Sequence, residues 1–199
     1  MDRLKRLIVG GSLGNEQLTA VVGTLLLLLL AIEGATLLNV RSLLTVHAFV
    51  GMLLIPIVAL KISSTGWRLW HYYRSGEEYV RRGPPHIVLR GLVAPVTILS
   101  TLVVFGTGVA LLVLGQTEGT LVGLHKASFL VWVGAFGLHV VWHAPKLPSL
   151  LRARIPGTSM RIAVVAVSVV TGAVLATATL PGADHLQDRA SSHIGLDER

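Results

Sequence analysis

The chain alternates between long apolar runs and short polar breaks. Five runs reach the roughly 20 residues that a helix needs to cross the hydrocarbon core of a bilayer: residues 18–38, 43–63, 92–114, 121–141 and 162–180. The breaks carry turn chemistry. Asn39-Val40-Arg41-Ser42 makes the first, Arg81-Arg82-Gly83-Pro84-Pro85 interrupts a long second connection, Gly115-Gln116-Thr117-Glu118-Gly119 makes the third, and Pro145, Pro148 and Pro156 punctuate the fourth. The pattern predicts an all-α integral membrane fold of five transmembrane helices, with a short N-terminus over residues 1–17 and a polar tail over 181–199. With Asp184, Asp188, Asp197 and Glu198 and little apolar surface to bury, the tail is expected to be disordered, and its His185 and His193 solvated.

Composition agrees with lipid as the main solvent. Apolar residues make up 52% of the chain and charged ones 14%, against about 25% charged in ordinary soluble domains; the mean hydropathy is +0.70. A net charge of +7 does not point to nucleic acid, because the basic residues gather between apolar runs. Arg3, Lys5 and Arg6, then Arg68, Arg74, Arg81, Arg82 and Arg90, then Lys146, Arg152, Arg154 and Arg161 fall on one side, which is 12 of 17; Arg41, Lys126, Arg189 and Arg199 fall on the other. The positive-inside rule then predicts a multi-pass protein of the inner (plasma) membrane with its N-terminus inside and its C-terminus outside. The first run exceeds a signal-peptide core and lacks a small-residue cleavage site, so it is expected to be retained as a span. Residues 67–90 read as an interfacial segment, with Trp67, Trp70, Tyr72 and Tyr73 at headgroup level.

The absence of cysteine excludes disulfides, thiolate metal sites and covalent haem attachment. No phosphate-cradling glycine motif and no soluble domain for flavin or nicotinamide is present. Chemistry therefore has to come from ionisable groups inside the spans, which are costly there and mark functional pathways: Glu33, His47, Lys61, His125 and His139, with His143 at the end of span four. His47 and His125 each lie a few residues inside spans two and four, which run in the same direction, so the two share a depth. Fourteen residues further along each helix, about 21 Å at 1.5 Å per residue and close to four full turns, stand Lys61 and His139. The matched stripes read His47, Gly51, Leu54, Val58, Lys61, Thr65 and His125, Phe129, Trp132, Phe136, His139, His143.

Neutral imidazoles offered from two helices at one depth are the donor set of a noncovalently held haem b. His47 and His125 are the candidate axial ligands, and Gly51, one turn from His47, is where a missing side chain admits a flat macrocycle; Gly134 and Gly137 thin span four likewise. Other readings compete. Glycine also serves plain helix packing, and histidines hydrogen-bond between membrane helices. His139 and His143, at i and i+4, have the spacing of a divalent-metal pair, although span four carries no carboxylate. Glu33 either exchanges a proton with a quinol, pairs with Arg41 or reaches the interface.

The segments His47-Ala48-Phe49-Val50-Gly51, Gly66-Trp67-Arg68, Arg82-Gly83-Pro84-Pro85, Leu124-His125-Lys126-Ala127-Ser128-Phe129 and Gly137-Leu138-His139, spread over residues 43–143, resemble membrane-embedded b-type cytochromes. The likeness is to the cytochrome b561 and ferric-reductase-like kind, which includes the cytochrome b subunits of bacterial hydrogenases and formate dehydrogenases. It implies a four-helix haem-binding bundle core with two stacked haems, and electron transfer between quinol or quinone and redox partner subunits. Carried over, His47 and His125 match the ligands of the outer haem iron and His139 half of the inner pair. Lys61 stands where the pattern has its fourth histidine, and an ammonium cannot bind iron until it loses a proton. It is open as an amine ligand, as the partner of a propionate, or as a side chain snorkelling to the interface. His71 and His86 are expected at the membrane surface.

The resulting expectation is an electron carrier or cytochrome subunit rather than a stand-alone enzyme. Phe129, Trp132 and Phe136 would fill the space between haem levels, and Arg41, Arg68, Arg90 or Lys146 would neutralise propionates. The rivals are a haem-free transporter or metal-binding protein using the same polar groups, and a membrane anchor whose basic loops dock a protein or anionic lipid.

Overall fold

The computed structural model describes residues 11–74, 88–152 and 156–192, and all regular structure among them is helical. Helix α1 (Gly11–Thr36) passes through a 3-10 turn, Leu37–Asn39, into α2 (Leu44–Tyr73). A π turn, Leu89–Val93, leads into α3 (Ala94–Leu114), which is followed by α4 (Thr120–His143), the short α5 (Leu147–Arg152), α6 (Thr158–Ala178) and α7 (Leu180–Ser192). Five stretches, Ser12–Asn39, Leu44–Trp70, Gly91–Leu114, Thr120–His143 and Thr158–Ala178, are long and apolar enough to cross a membrane. The chain is a multi-pass membrane protein by that measure.

The elements follow from the sequence with understandable offsets. Helix α2 continues ten residues past the apolar run that ends at Ser63, because hydropathy reports where lipid stops and not where helix stops. Trp67, Trp70 and Tyr73 are exposed on that extension, and the Arg74 guanidinium lies 4.3 Å from the Trp70 ring centre, a cation–π distance. Between α3 and α4, Gly115 adopts the left-handed conformation (φ 63°) that closes a helix, and its N–H bonds the Leu111 carbonyl. Arg81, Arg82 and His86, the side chains of His71, Tyr72, Arg90 and Lys146, and His193 lie outside the described residues.

Packing is built on two antiparallel hairpins, α1–α2 and α3–α4, with α6 lying along α2. Val22, Leu26, Val50, Leu54 and Ile57 form the main core against Phe105, Val165 and Val169. A second cluster joins Met52, Leu112, Ala176 and Ala183 at the end where α7 packs. The helices α2 and α6 come so close that a Cβ on Gly172 would meet the Leu53 carbonyl. Small residues permit such approach, and in lipid close packing is the main source of helix association. Helix α4 differs from the rest: none of its span window is buried, against 17–22% for the other four. It packs along α3 and has no comparable contact with α2; its stripe residues His125, Phe129, Trp132, Phe136 and His139 are half-buried, and its opposite face is exposed.

Two expectations are corrected. The tail from Pro181 is not disordered over residues 181–192. It forms α7, with Ala183 and Leu186 buried and Gln187 Oε1 accepting from the Leu44 and Thr45 N–H groups at the start of α2 (2.8 and 3.3 Å). Two apolar residues three apart suffice once the bundle end supplies a surface and orphan helix donors. His185 is exposed. Arg161, assigned to the fourth connection, instead sits buried in the first turn of α6, donating to the Gln17 side chain of α1 (2.8 Å) and the Pro156 carbonyl (2.9 Å).

Candidate functional site

His47 is in the first turn of α2 and His125 in the second turn of α4. The fold brings their rings together, with centroids 6.4 Å apart and planes at 86°. Each imidazole is also tied back to the other helix of its own hairpin. His47 Nδ1 lies 3.0 Å from Glu33 Oε1 and 2.9 Å from Thr36 Oγ1, both on α1. His125 Nδ1 lies 3.0 Å from Thr107 Oγ1 and 3.1 Å from the Val104 carbonyl, both on α3.

The partners fix the tautomers. The Thr36 hydroxyl spends its proton on the Glu33 carbonyl (2.6 Å), and the Thr107 hydroxyl spends its own on the Val103 carbonyl (2.6 Å). Such back-bonding is an ordinary habit of helical threonine, and it leaves each Oγ1 as an acceptor. A carboxylate oxygen and a carbonyl oxygen are acceptors too, so both Nδ1 atoms must carry the proton. In the neutral form of each ring Nε2 then holds the lone pair, and among the described residues no hydrogen bond joins either Nε2 to the protein. Metal-binding histidines are held in this way, with the second nitrogen donating to a carboxylate, carbonyl or hydroxyl. Two imidazoles on opposite sides of one metal, each with a bond of about 2 Å and a ring centre about 1.1 Å beyond the nitrogen, have centroids roughly 6 Å apart. The observed separation fits that arrangement.

The glycines near the pair have different uses. A Cβ at Gly108 would stand 3.2 Å from His125 Cε1, so Gly108 is what lets the ring lie against α3. A Cβ at Gly51 would stand 3.6 Å from Glu33 Oε1, so the position one turn below His47 faces that carboxylate. Gly134 and Gly137 have open space around them. Along α4 the stripe is a ring ladder: Phe129 stacks on Trp132 (6.0 Å) and Trp132 on Phe136 (4.6 Å, 9°), with Trp132 Nε1 donating to Thr101 Oγ1 (2.9 Å).

The Lys61 level is built otherwise. Lys61 does not snorkel: Nζ donates to the Thr19 carbonyl of α1 (2.6 Å) and rests against Gly23. The groove around it is polar, with Asn15 Nδ2 on the Ser64 carbonyl (2.9 Å) and Thr19 Oγ1 on Ser64 Oγ (3.1 Å). Lys61 is near enough to His139 for the two to interact electrostatically, yet its ammonium is committed to α1. His139 and His143 stack (4.3 Å, 22°), and His143 Nδ1 bonds the His139 carbonyl (2.9 Å). Parallel stacked rings do not converge on one ion, which removes the geometry expected of a divalent-metal pair. Among the described residues no group of three or more His, Asp or Glu side chains is gathered to hold a metal ion.

Glu33, Thr36, Thr107 and Gly108 were not picked out as partners of the histidines from sequence, although a signal existed. Glu33 and His47 are each seven residues from Val40, and Thr107 and His125 each nine from Gln116. Folding each hairpin about its turn sets those residues opposite one another. Glu33 does not pair with Arg41, which is exposed.

Compared with known proteins, the chain matches no family model, no curated protein and no solved structure. Any functional reading therefore rests on the residues themselves.

Proposed function

We propose that the protein is a membrane electron carrier that binds haem b between His47 and His125, with the N-terminus inside the cell and the histidine pair toward the outer face. The observation that carries this reading is the pair of facing imidazoles whose Nδ1 atoms are both spent on α1 or α3 and whose Nε2 atoms are not. An edge-to-face ring contact of this length is also ordinary packing. Packing alone gives no reason for both rings to turn the same nitrogen onto their own hairpin and leave the other without a protein partner. Donor chemistry narrows the group: two imidazoles complete a haem, whose macrocycle supplies the other four bonds, whereas a bare ion needs more ligands than gather here.

Bound haem supplies a one-electron couple. His47 and His125 hold it, Thr36 and Thr107 keep both rings in the ligating tautomer, and Gly108 sets the position of His125. The Phe129–Trp132–Phe136 ladder excludes water along α4 on the way toward His139. Lys61, turned onto Thr19, serves as a structural cation in the α1–α2 groove and not as the fourth ligand of a second haem. Quinol or a redox partner subunit, resembling the arrangement of b-type cytochromes, would exchange electrons at the membrane surface.

The test is the visible spectrum of detergent-purified protein from haem-replete cells, before and after dithionite. Bands that sharpen and shift on reduction are expected, and they should vanish in His125→Ala and in His47→Ala. A colourless wild-type preparation, or unchanged haem in both variants, overturns the proposal.

A further inference from the structure

The two histidines are not equivalent, and the difference lies in Glu33. His125 Nδ1 meets only neutral acceptors, Thr107 and the Val104 carbonyl. His47 Nδ1 meets Thr36 and a carboxylate, in the one ion-pair geometry found among the described residues. The other carboxylate oxygen, Glu33 Oε2, is buried and has no hydrogen-bond partner. That oxygen is therefore shared with no arginine, lysine or hydroxyl, and the carboxyl group meets the ring of His47 through Oε1. Gly51 adjoins it on α2, where a Cβ would stand in ordinary contact with Oε1 at 3.6 Å.

A carboxyl group in a membrane helix with one buried oxygen left unpartnered is costly. A neutral acceptor, such as the one His125 has, would hold the ring equally well. The geometry points to a second task for Glu33: it is a positioning residue that draws the Nδ1 proton of His47 toward itself and gives that imidazole more anionic, more strongly donating character than His125. A carboxylate behind a ligating histidine raises the basicity of the other nitrogen. A more basic, more negative ligand favours the oxidised, more positively charged state of a metal. The inference that this bias lowers a reduction potential rests on the proposed haem; the bias on His47 itself does not.

The experiment uses the full-length protein labelled with ¹⁵N-histidine, as wild type and as Glu33→Gln, which keeps size and an acceptor oxygen but removes charge. Glu33→Leu serves as a second variant. Nitrogen and proton resonances of the two rings, assigned by their loss in His47→Gln and His125→Gln, are read alongside a redox titration. The expected result is a His47 Nδ1–H resonance well downfield of that of His125, moving upfield in Glu33→Gln while His125 stays in place. Haem content should be retained, with a raised midpoint potential. Equal resonances in wild type, or a His47 signal indifferent to both substitutions, overturn the positioning role. A shifted resonance with an unmoved potential rejects the tuning. A colourless wild-type protein that still shows the Glu33-dependent His47 signal overturns the haem reading and leaves the positioning of His47 standing.

Discussion

Gly108 and Gly106 are two residues apart on α3 and test how tightly the site is built. A Cβ at Gly108 falls 3.2 Å from His125 Cε1, whereas one at Gly106 meets nothing within 4 Å. Valine at 108 must push the imidazole off Thr107 and Val104, while valine at 106 only adds apolar surface facing lipid. Displacing the support of a metal-binding histidine typically lowers affinity by about 10–100-fold. Gly108→Val is therefore expected to lose most of its haem on dilution or gel filtration, with Gly106→Val retaining it, as read by the haem-to-protein absorbance ratio. Lys61 carries the opposite expectation. Its amine bonds a backbone carbonyl and is remote from the histidine pair by four helical turns of α2, so Lys61→Met should leave the spectrum intact. It removes a desolvated charge and keeps the volume, so the detergent unfolding midpoint should correspond to a change within about 1 kcal/mol. A bleached Lys61→Met protein would show that the two levels are not independent.

Among elements, the hairpins explain both what the sequence made legible and what it hid. The length of the apolar runs marks the five spans, shared depth in two parallel spans pairs His47 with His125, and the fourteen-residue spacing sets Lys61 level with His139. What stayed hidden was lateral: which neighbour each polar group would choose. Lys61 looked free to snorkel until α1 set Thr19 beside it, each of the two being twenty-one residues from Val40. Threonines seemed neutral in a hydropathy count, yet Thr36, Thr101 and Thr107 all back-bond their own helix and accept a ring N–H from the next. The tail misled because hydropathy was judged without the bundle end that α7 covers. Helix contact can be tested where it is closest. Gly172→Ala drives a methyl into the Leu53 carbonyl and must force α6 off α2; overpacking of this kind costs about 1–3 kcal/mol. The neighbouring Thr171→Ala alters an exposed side chain bonded only within its helix. A clear drop in thermal midpoint is expected for the first and little change for the second.

For the whole molecule, the arrangement of ends decides which partner can reach the site. The histidine pair and α7 share one end of the bundle, since Gln187 bonds the start of α2, His47 lies in that first turn, and Arg189 Nη1 reaches the Gly115 carbonyl of the α3–α4 turn (3.0 Å). Arg68, Arg74 and Arg152 belong to the opposite end, with the burial of Arg161 withdrawing one charge from that count. The remaining bias still favours that end as the cytoplasmic one. A chain without cysteine is suited to a direct measurement, because any introduced thiol is the single reactive one. Ser192→Cys, at the exposed end of α7, is expected to react with a membrane-impermeant maleimide in intact cells or spheroplasts. Ser159→Cys, exposed at the start of α6, should react only after permeabilisation. The reverse labelling would leave the helices and the histidine pair as they are, yet turn the pair toward the cytoplasm. Electron exchange at the His47 end would then take place with a cytoplasmic partner. On the proposed haem reading, the orientation, more than the ligand geometry, thus determines whether the His47 end exchanges electrons at the outer or at the cytoplasmic surface.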